Sequence, residues 1–192
     1  MSSLPPDSYF PVPSPAVAPA SSQAALARLK AEVGGVPNLA AVMSTSPALI
    51  EAFVTLRALF QAHSTFTKPE REIIFLTNAI ENGCGYCAAI HTAFARQAGL
   101  AAETIDAVRE GKLPADARLA ALVGFDRQLL RQRGRVDSAE VEAFMLAGFA
   151  REQALELLAA TAISTLANYT GRLSRPPLDE FLALHQLPTA EA

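Results

Sequence analysis

The chain carries both of its cysteines in the stretch Glu81-Asn82-Gly83-Cys84-Gly85-Tyr86-Cys87-Ala88-Ala89-Ile90-His91, together with one of its three histidines. Cys87 follows Cys84 by three residues, and His91 follows Cys87 by four. Because an α-helix has about 3.6 residues per turn, these spacings place all three side chains on one helical face. Glu81 would join that face if the helix extended back by one turn. Two thiols and an imidazole on one face make this stretch the first candidate for a chemical site.

Three interpretations of this stretch are open. Two thiols one turn apart can close a redox disulfide, and a nearby base or a helix N-terminus lowers a thiol pKa. Thiolates and an imidazole also bind zinc, but a closed structural zinc site needs about four ligands. The sequence has no second Cys or His pair, so a carboxylate or another subunit would have to complete it. The third interpretation is that two small cysteines are simply packed in a helix. We favour the redox dithiol.

Helical signals continue on both sides of the stretch. Apolar residues recur three or four positions apart, between N-cap residues and terminal glycines. Ser22 and Ser46 are predicted N-caps, Thr67 and Glu70 have the spacing of a capping box, and Gly171 is predicted to follow a helix end. The predicted helices cover about 22–33, 37–43, 47–63, 68–82, 84–97, 102–110, 116–133, 137–145, 151–169 and 176–184.

The absence of strand signals from the sequence predicts an all-α fold. No alternation of apolar and polar residues and no hairpin turn between strand-like runs is found in the sequence. The cysteine pair is therefore not preceded by the strand that a thioredoxin-like fold requires. It lies instead at a helix N-terminus, where the helix dipole and free N–H groups favour an anion such as a thiolate.

The first 20 residues differ in composition from the rest of the chain. They contain six of the 13 prolines, a density that forbids a helix and favours an extended segment. Tyr9, Phe10 and Val12 could fix such an arm to the body or to a neighbouring subunit; the alternative is a disordered tail. The sequence therefore predicts a Pro-rich extended arm over 1–20 and a single helical domain over 21–192.

Composition and charge exclude several functional classes. A net charge of −3 and a pI of about 5.6 disfavour a nucleic-acid-binding protein, which would normally have a basic face. No apolar run approaches the ~20 residues of a membrane span, and the N-terminus lacks the basic and apolar regions of a secretory signal. Two cysteines in one short motif fit a reducing compartment. We therefore expect a cytoplasmic protein without nucleic-acid or membrane partners.

The segment from Arg71 through the cysteine pair to His91 resembles the alkylhydroperoxidase D (AhpD)-like proteins of the carboxymuconolactone decarboxylase superfamily. Glutamate, two residues, cysteine, two residues, cysteine, three residues and histidine form the core motif of that family. Glu72, twelve residues before Cys84, matches a second acidic position. The resemblance covers roughly residues 37–122, and the longer C-terminal half looks like the peroxidase-related members. It implies a helical AhpD-like fold and homo-oligomers, commonly trimers, dimers or hexamers. Decarboxylase members lack the dithiol, so their activity is not implied.

The resemblance also implies roles for four residues. Cys87 would be the peroxidatic cysteine, whose thiolate attacks the peroxide and becomes a sulfenic acid. Cys84 would resolve that sulfenic acid by forming a Cys84–Cys87 disulfide. His91 would relay the proton, and Glu72 would orient the histidine or accept from it. From the residues alone, His91 can reach Cys87 on one helix face, whereas Glu72 must come from the preceding helix.

Two further residues of the motif remain ambiguous. Glu81 is a rival to Glu72 as the catalytic acid, and its alternative role is a solvated carboxylate beside the helix start. Tyr86 stands between the cysteines, where the founding family members have a histidine. A tyrosine could form a hydrogen bond there, but it is a poor base at neutral pH. This difference leaves the proton relay, rather than the dithiol cycle, open.

The function implied is that of a peroxiredoxin-like alkylhydroperoxidase. This thiol-dependent peroxidase/disulfide reductase would reduce organic hydroperoxides, or relay electrons to a partner peroxidase, without flavin, haem or metal. A dithiol donor, with a lipoylated protein as one candidate, would re-reduce it. The first alternative is a metal-binding or redox-sensing oligomer that uses Cys84, Cys87 and His91 without turnover. The second is a structural oligomer whose dithiol is incidental.

Two clusters outside the motif have competing interpretations. The basic cluster reads as a solvated helix end or as a docking site for an acidic partner, and its members are Arg127, Arg131, Arg133 and Arg135. The aromatic cluster could line a hydroperoxide pocket or could simply be core, and its members are Phe53, Phe60, Phe75 and Phe94.

Overall fold

The computed structural model describes residues 10–187, and over these residues the chain forms nine α-helices and two short 3-10 turns without a β-strand. The all-α prediction is confirmed. The 3-10 turns are Pro15–Val17 and Glu180–His185. The α-helices are α1 (Ala20–Val33), α2 (Asn38–Met43), α3 (Pro47–His63), α4 (Lys68–Glu81), α5 (Gly85–Gln97), α6 (Ala102–Arg109), α7 (Ala117–Arg131), α8 (Ser138–Leu146) and α9 (Arg151–Ser174).

Helix α4, which precedes the cysteines, begins at the predicted capping box. The Glu70 N–H donates to the Thr67 hydroxyl oxygen at 3.4 Å, and the Thr67 N–H donates to the Glu70 carboxylate at 2.9 Å. Both groups would otherwise be unpaired at the helix start. Arg118 of α7 also donates to Glu70, at 3.0 Å, and thereby joins this helix start to α7. The capping box thus fixes where α4 begins and how it meets its neighbour.

Three sequence predictions of helix ends are wrong. Helix α1 begins at Ala20 after Pro19, and Ser22 is buried in its first turns, where its hydroxyl donates to the Ser44 carbonyl at 2.7 Å. Helix α9 continues through Gly171 to Ser174, because burial against the rest of the fold outweighs the low helix propensity of one glycine. The segment after the two prolines forms the 3-10 turn rather than an α-helix.

Helix α4 lies at the centre of the core and packs against α5, α6, α7 and α9. Seven consecutive residues of this helix, Ile73 to Ala79, are buried, as is Glu70 before them, so the buried side chains lie on more than one face. A helix buried on several sides must be covered by several partners. The two cysteines that follow α4 are buried among these helices, whereas Gly83 and Gly85 beside Cys84 are exposed.

The described part of the N-terminal segment is extended apart from its 3-10 turn. Phe10 is 39% exposed and Val17 is 72% exposed, whereas Ala18 is buried. The Gln23 side chain donates to the carbonyls of Pro15 and Ala18 and holds this part against α1. The predicted contact of Tyr9 lies outside the described residues, and the arm over 1–20 as a whole stays a prediction. Over the described residues, none of the helices combines the length and the apolar character that crossing a bilayer requires.

Candidate functional site

The cysteines occupy the start of α5. Gly83, at φ +65°, turns the chain after α4. Cys84 is the N-cap of α5, and its sulfur accepts a hydrogen bond from the Cys87 N–H at 3.2 Å. The two cysteines are joined as a disulfide with Cα atoms 5.3 Å apart, and each residue is only 2% exposed. The dithiol therefore lies at a helix N-terminus, as predicted, but is enclosed rather than open to solvent.

Glu72 and His91 meet directly across the α4–α5 interface. The Glu72 carboxylate is 3.0 Å from His91 Nδ1, and their side chains are 16% and 13% exposed. Phe75 stacks on the imidazole at 5.1 Å between ring centroids, and Phe94 approaches it edge-on at 6.1 Å. The ring is thus held by a carboxylate at one nitrogen and by aromatic side chains on its surfaces.

Tyr86 points away from this pair toward the C-terminal segment. Its hydroxyl donates to the Asp179 carboxylate and accepts from the Leu39 N–H at 3.4 Å. Burial, followed by the hydrogen bond to Asp179, raises the pKa of Tyr86 above its ordinary value. The phenol therefore stays protonated at neutral pH. Asp179 also accepts from the Asn38 N–H, so that it joins α2, α5 and the C-terminal segment. Sequence reasoning missed Asp179.

Glu81 is held by arginines of α7. Its carboxylate accepts from Arg131 at 2.7 and 3.0 Å, and Arg127 Nε lies 3.1 Å from it as an ion pair that is not aligned as a hydrogen bond. The interpretation of the basic cluster as a solvated helix end is wrong for Arg127. That residue is buried, and its partner Glu81 at the end of α4 has a side chain that is 10% exposed. Of the two acidic candidates, the structure brings only Glu72 to His91.

A fully buried carboxyl lies beside this ion-pair cluster. Asp126 accepts from the Asn78 side-chain amide at 3.1 Å, while its other oxygen and the Asn78 carbonyl oxygen lack partners among the described residues. Burial raises the pKa of Asp126 well above its ordinary value, and the Glu81 charge adds to this, whereas Asn78 and Arg127 oppose it. A protonated Asp126 would supply the donor that its surroundings lack.

Asp126→Asn should therefore stabilise the protein at alkaline pH. Between the unfolded-state pKa and the raised native pKa, the native state holds a proton that the unfolded chain has lost, so stability conferred by this group falls as pH rises. The amide stays neutral and can donate to the Asn78 oxygen. We expect the variant to gain about 1–2 kcal/mol over wild type near pH 8 and no gain near pH 4, measured by urea unfolding. An equal difference at both pH values would contradict the buried neutral acid.

Gly171 of α9 packs directly against the Cys84 sulfur. A Cβ at Gly171 would lie 2.7 Å from Cys84 Sγ and 3.6 Å from Cys87 Sγ. The first distance is too short for carbon and sulfur atoms, and a sulfur in a disulfide cannot rotate away. Glycine is required here by the close approach of the dithiol rather than by backbone conformation.

Gly171→Ala should destabilise the protein although alanine favours a helix. We expect the free energy of unfolding to fall by about 1–3 kcal/mol, because a methyl group is forced into a packed site. Gly124→Ala in α7 is the matched control, since its Cβ would be 3.8 Å from Leu113 in ordinary contact. That variant should gain up to about 1 kcal/mol in urea unfolding. Stabilisation by both variants would show that Gly171 is not sterically constrained.

The two cysteines line two different cavities of the protein. The Cys87 cavity, about 50 Å³, is lined by Cys87 and His91 together with Tyr86, Arg57 and apolar side chains of α1, α2, α3, α5 and α9. Phe53 and Phe94 line it, while Phe75 stacks behind the imidazole and Phe60 packs in the core. The Cys84 cleft, about 630 Å³, lies between the α4–α5 turn, α9 and the C-terminal segment.

The described residues hold no group of three or more His, Cys, Asp or Glu side chains that could bind a metal ion. The Cys84, Cys87 and His91 face, which the sequence left open to a zinc interpretation, therefore has no fourth donor beside it in the described part of the chain. Glu72, the nearest carboxylate to His91, is engaged with the imidazole nitrogen.

The chain is similar to one protein family and to several solved structures. The carboxymuconolactone decarboxylase family model matches residues 47–128. A solved structure from Ralstonia eutropha JMP134, described as an alkylhydroperoxidase AhpD core and an uncharacterized peroxidase-related protein, is 26% identical, with a TM-score of 0.79 over 91% of this chain and 94% of that one. No curated protein matches the sequence.

Two further structures share the fold at lower identity. An uncharacterized peroxidase-related protein from Silicibacter sp. TM1040 is 20% identical, with a TM-score of 0.74 over 90% of this chain and 91% of that one. The debrominase Bmp8 is 16% identical, with a TM-score of 0.76 over 93% and 96%. Since the family match includes the whole dithiol motif, and the fold is shared along nearly the full length of the peroxidase-related structures, the chain has an AhpD-like fold in which residues 47–128 match the carboxymuconolactone decarboxylase family.

Proposed function

We propose that the protein is a thiol-dependent peroxidase of the alkylhydroperoxidase D type that reduces organic hydroperoxides with Cys84 and Cys87. One observation carries the proposal: Cys87 and His91 line the same largely apolar cavity, and Glu72 holds the other side of the imidazole. A thiol, a base and an apolar binding space are what this chemistry requires. The likeness to peroxidase-related structures supports the same reaction class.

In the proposed cycle, the peroxide oxidises the two cysteines to the disulfide in two steps. The Cys87 thiolate attacks one peroxide oxygen, the O–O bond breaks, and the alkoxide leaves as an alcohol after it takes up a proton. Cys87 is then a sulfenic acid. The Cys84 thiolate attacks its sulfur, hydroxide leaves as water, and the Cys84–Cys87 disulfide forms. Their Cα separation of 5.3 Å lies within the range that a disulfide spans.

His91 is the proposed proton carrier for both steps. Because the Glu72 carboxylate accepts from Nδ1–H, a neutral imidazole keeps its lone pair on Nε2. That nitrogen can take the Cys87 thiol proton and then deliver it to the leaving alkoxide. Glu72 positions the ring and stabilises its charged form. Tyr86 is proposed as a positioning residue, since its hydroxyl is engaged by Asp179.

Cavity shape and lining indicate the substrate class. Apolar side chains dominate the lining, and the charge of Arg57 is paired with Glu32. Such a lining favours the hydrocarbon group of an uncharged organic hydroperoxide over an ionic substrate, and the cavity of about 50 Å³ must widen to admit it. The proposed reaction needs no flavin, haem or metal, because the dithiol carries the two electrons.

A single-turnover assay tests the function. Reduced protein is mixed with cumene hydroperoxide, and remaining thiols and cumyl alcohol are measured on quenched samples. We expect two thiols to disappear and one alcohol to appear per chain. Thiols that survive excess peroxide would overturn the proposal and leave the redox-sensing or metal-binding alternative, which metal analysis of the purified protein would then test.

The likeness to Bmp8 motivates one additional arm of that assay. A variant of that debrominase was solved in complex with 2,3,4-tribromopyrrole. Incubation of the reduced protein with this compound should release no bromide beyond a buffer control if hydroperoxides are the substrate. Stoichiometric bromide release without peroxide turnover would favour a dehalogenating reaction of the same thiols.

We further propose that the protein forms a homo-oligomer in the cytoplasm and that α9 contributes to the subunit contact. Exposed apolar side chains recur along α9 at helical spacing, namely Leu155, Leu158, Tyr169 and Leu173. Leu155→Glu should shift the mass measured by light scattering toward the monomer, while Leu146→Glu on the exposed end of α8 should not. An unchanged mass for Leu155→Glu would place the contact elsewhere.

A further inference from the structure

The two sulfurs of the disulfide face two different spaces. Cys87, but not Cys84, lines the Cys87 cavity, and Cys84, but not Cys87, lines the Cys84 cleft. Tyr86 lies between the cysteines and lines both. A peroxide bound beside Cys87 and a second molecule at Cys84 would therefore approach the dithiol from opposite sides.

The Cys84 cleft is basic. Three of its described lining residues are arginines, Arg109, Arg172 and Arg175, and none of the described lining residues is acidic. Arg172 donates to the Asn82 carbonyl at 3.1 Å, and Arg109 donates to the Gln186 carbonyl at 2.9 Å. These partners fix the guanidinium groups but carry no charge, and no ion pair found over residues 10–187 includes any of the three.

The Cys87 cavity has the opposite character. Its only arginine among the described lining residues, Arg57, is paired with the carboxylate of Glu32. An anion is therefore attracted to the Cys84 side of the disulfide and not to the Cys87 side. The Cys87 cavity and the Cys84 cleft therefore differ in charge as well as in shape.

We propose that the Cys84 cleft binds a small anionic dithiol that re-reduces the disulfide, with Cys84 as the sulfur attacked. This inference rests on the proposed function. A cleft of about 630 Å³ has the size of a small-molecule site. Cys84 lines the cleft but is only 2% exposed, so a slender molecule can reach the sulfur where a broad protein surface would not. The arginines would hold its carboxylate near the rim.

One dithiol molecule reduces the protein disulfide in two successive exchange steps. Its first thiolate attacks Cys84 Sγ, the Cys84–Cys87 bond breaks, and Cys87 leaves as a thiolate that is protonated beside His91. The second thiolate of the dithiol then attacks its own mixed-disulfide sulfur, a cyclic disulfide leaves, and Cys84 is released as a thiolate. The helix N–H that contacts Cys84 Sγ at 3.2 Å stabilises that leaving group. Two electrons pass from the dithiol to the protein.

The test compares two dithiols that differ only in charge. Oxidised protein is mixed with dihydrolipoate or with its neutral amide, without peroxide, and protein thiols are counted by alkylation and mass spectrometry after acid quench. We expect dihydrolipoate to react about 3–10 times faster at low salt and this ratio to fall as salt is added. Equal rates in the wild-type protein would overturn the proposal.

Matched arginine variants assign the preference to the cleft. The double variant Arg172→Gln/Arg175→Gln should bring the ratio of the two rates close to one, and Arg172→Lys/Arg175→Lys should largely restore it. Arg151→Gln, at the exposed start of α9, removes the same charge outside the cleft and should leave the ratio unchanged. A ratio that persists in the double glutamine variant would overturn the assignment.

The attacked sulfur is identified with a monothiol. Oxidised protein is exposed briefly to mercaptoacetate, quenched in acid, and fragmented to locate the adduct. An adduct on Cys84 supports the proposal, and an adduct mainly on Cys87 overturns it. Because these experiments start from the disulfide and use no peroxide, their failure is distinguishable from failure of the peroxidase function, which the single-turnover assay measures separately.

Discussion

Replacing Cys87 by serine should reduce the rate of peroxide consumption by at least about a thousandfold. A serine hydroxyl is not ionised at neutral pH, whereas the thiolate is the nucleophile that breaks the O–O bond. The replacement is nearly isosteric at a residue that is 2% exposed, so the fold should be retained. The reduced variant is mixed with cumene hydroperoxide in stopped flow, and the alcohol product is quantified.

Cys84→Ser is the matched control for this prediction. It removes the resolving thiol and leaves Cys87 beside His91 in the cavity. We expect one peroxide to be consumed per chain, after which the protein stalls as a sulfenic acid that dimedone traps and mass spectrometry locates on Cys87. Both variants should unfold at urea concentrations close to that of the reduced wild type.

The reverse result has a clear physical meaning. Cys84 is the N-cap of α5, and its sulfur accepts the Cys87 N–H, so the helix start also stabilises a thiolate at that position. If Cys84→Ser loses peroxide reactivity and Cys87→Ser retains it, this helix-terminal stabilisation governs reactivity. The nucleophile would then be Cys84, and the cavity beside His91 would not be the peroxide site.

His91→Gln should lower the rate of thiol oxidation by about 10²–10⁴-fold at neutral pH, the range typical of a lost general base. Glutamine can still hydrogen-bond to Glu72 but cannot take up a proton. The deficit should shrink as pH rises, because the Cys87 thiol then ionises without help. The measurement is the pH profile of single-turnover thiol loss, which a purely structural defect would shift uniformly.

Glu72→Gln and Glu81→Gln separate the two acidic candidates. Glu72 lies 3.0 Å from His91, and its replacement should lower the rate about 10–100-fold with a changed pH profile. Glu81 accepts from Arg131 and pairs with Arg127, so its loss should leave the rate within about threefold while lowering stability, since a buried arginine loses its partner. If Glu81→Gln had the larger effect on rate, the assignment of Glu72 would be wrong.

The locally determined parts of this fold could be predicted from the sequence. Capping residues act within one helical turn, so the starts of α3, α4, α7 and α8 follow from neighbouring residues. The spacing of Cys84, Cys87 and His91 placed them on one helix for the same reason. The pairing of Glu72 with His91 needed the resemblance to a family, because it depends on how two helices pack.

Other features depend on contacts between distant segments and left no local signal. The sequence predicted a helix end before Gly171, because glycine often follows a helix. In the structure, glycine is needed at this position because the Cys84 sulfur lies too close for a Cβ. The sequence favoured a solvated Arg127, because its neighbours in the chain are also basic. In the structure, it forms an ion pair with Glu81 of another helix. The Tyr86–Asp179 hydrogen bond joins residues 93 positions apart, and neither residue type suggests such a partner.

The long sequence separation between Asp179 and its partners also bears on when the site forms during protein synthesis. Its carboxylate receives the Tyr86 hydroxyl and the Asn38 N–H, 93 and 141 residues earlier in the chain. At the usual elongation rates, the ribosome makes Asp179 roughly 5–20 s after Tyr86. Throughout that interval the nascent chain carries two cysteines without the Tyr86–Asp179 hydrogen bond beside them. If the proposed peroxidase function holds, the reactive centre acquires this contact only after Asp179 has been made, and newly made copies in a cell under oxidative stress would meet peroxide before that.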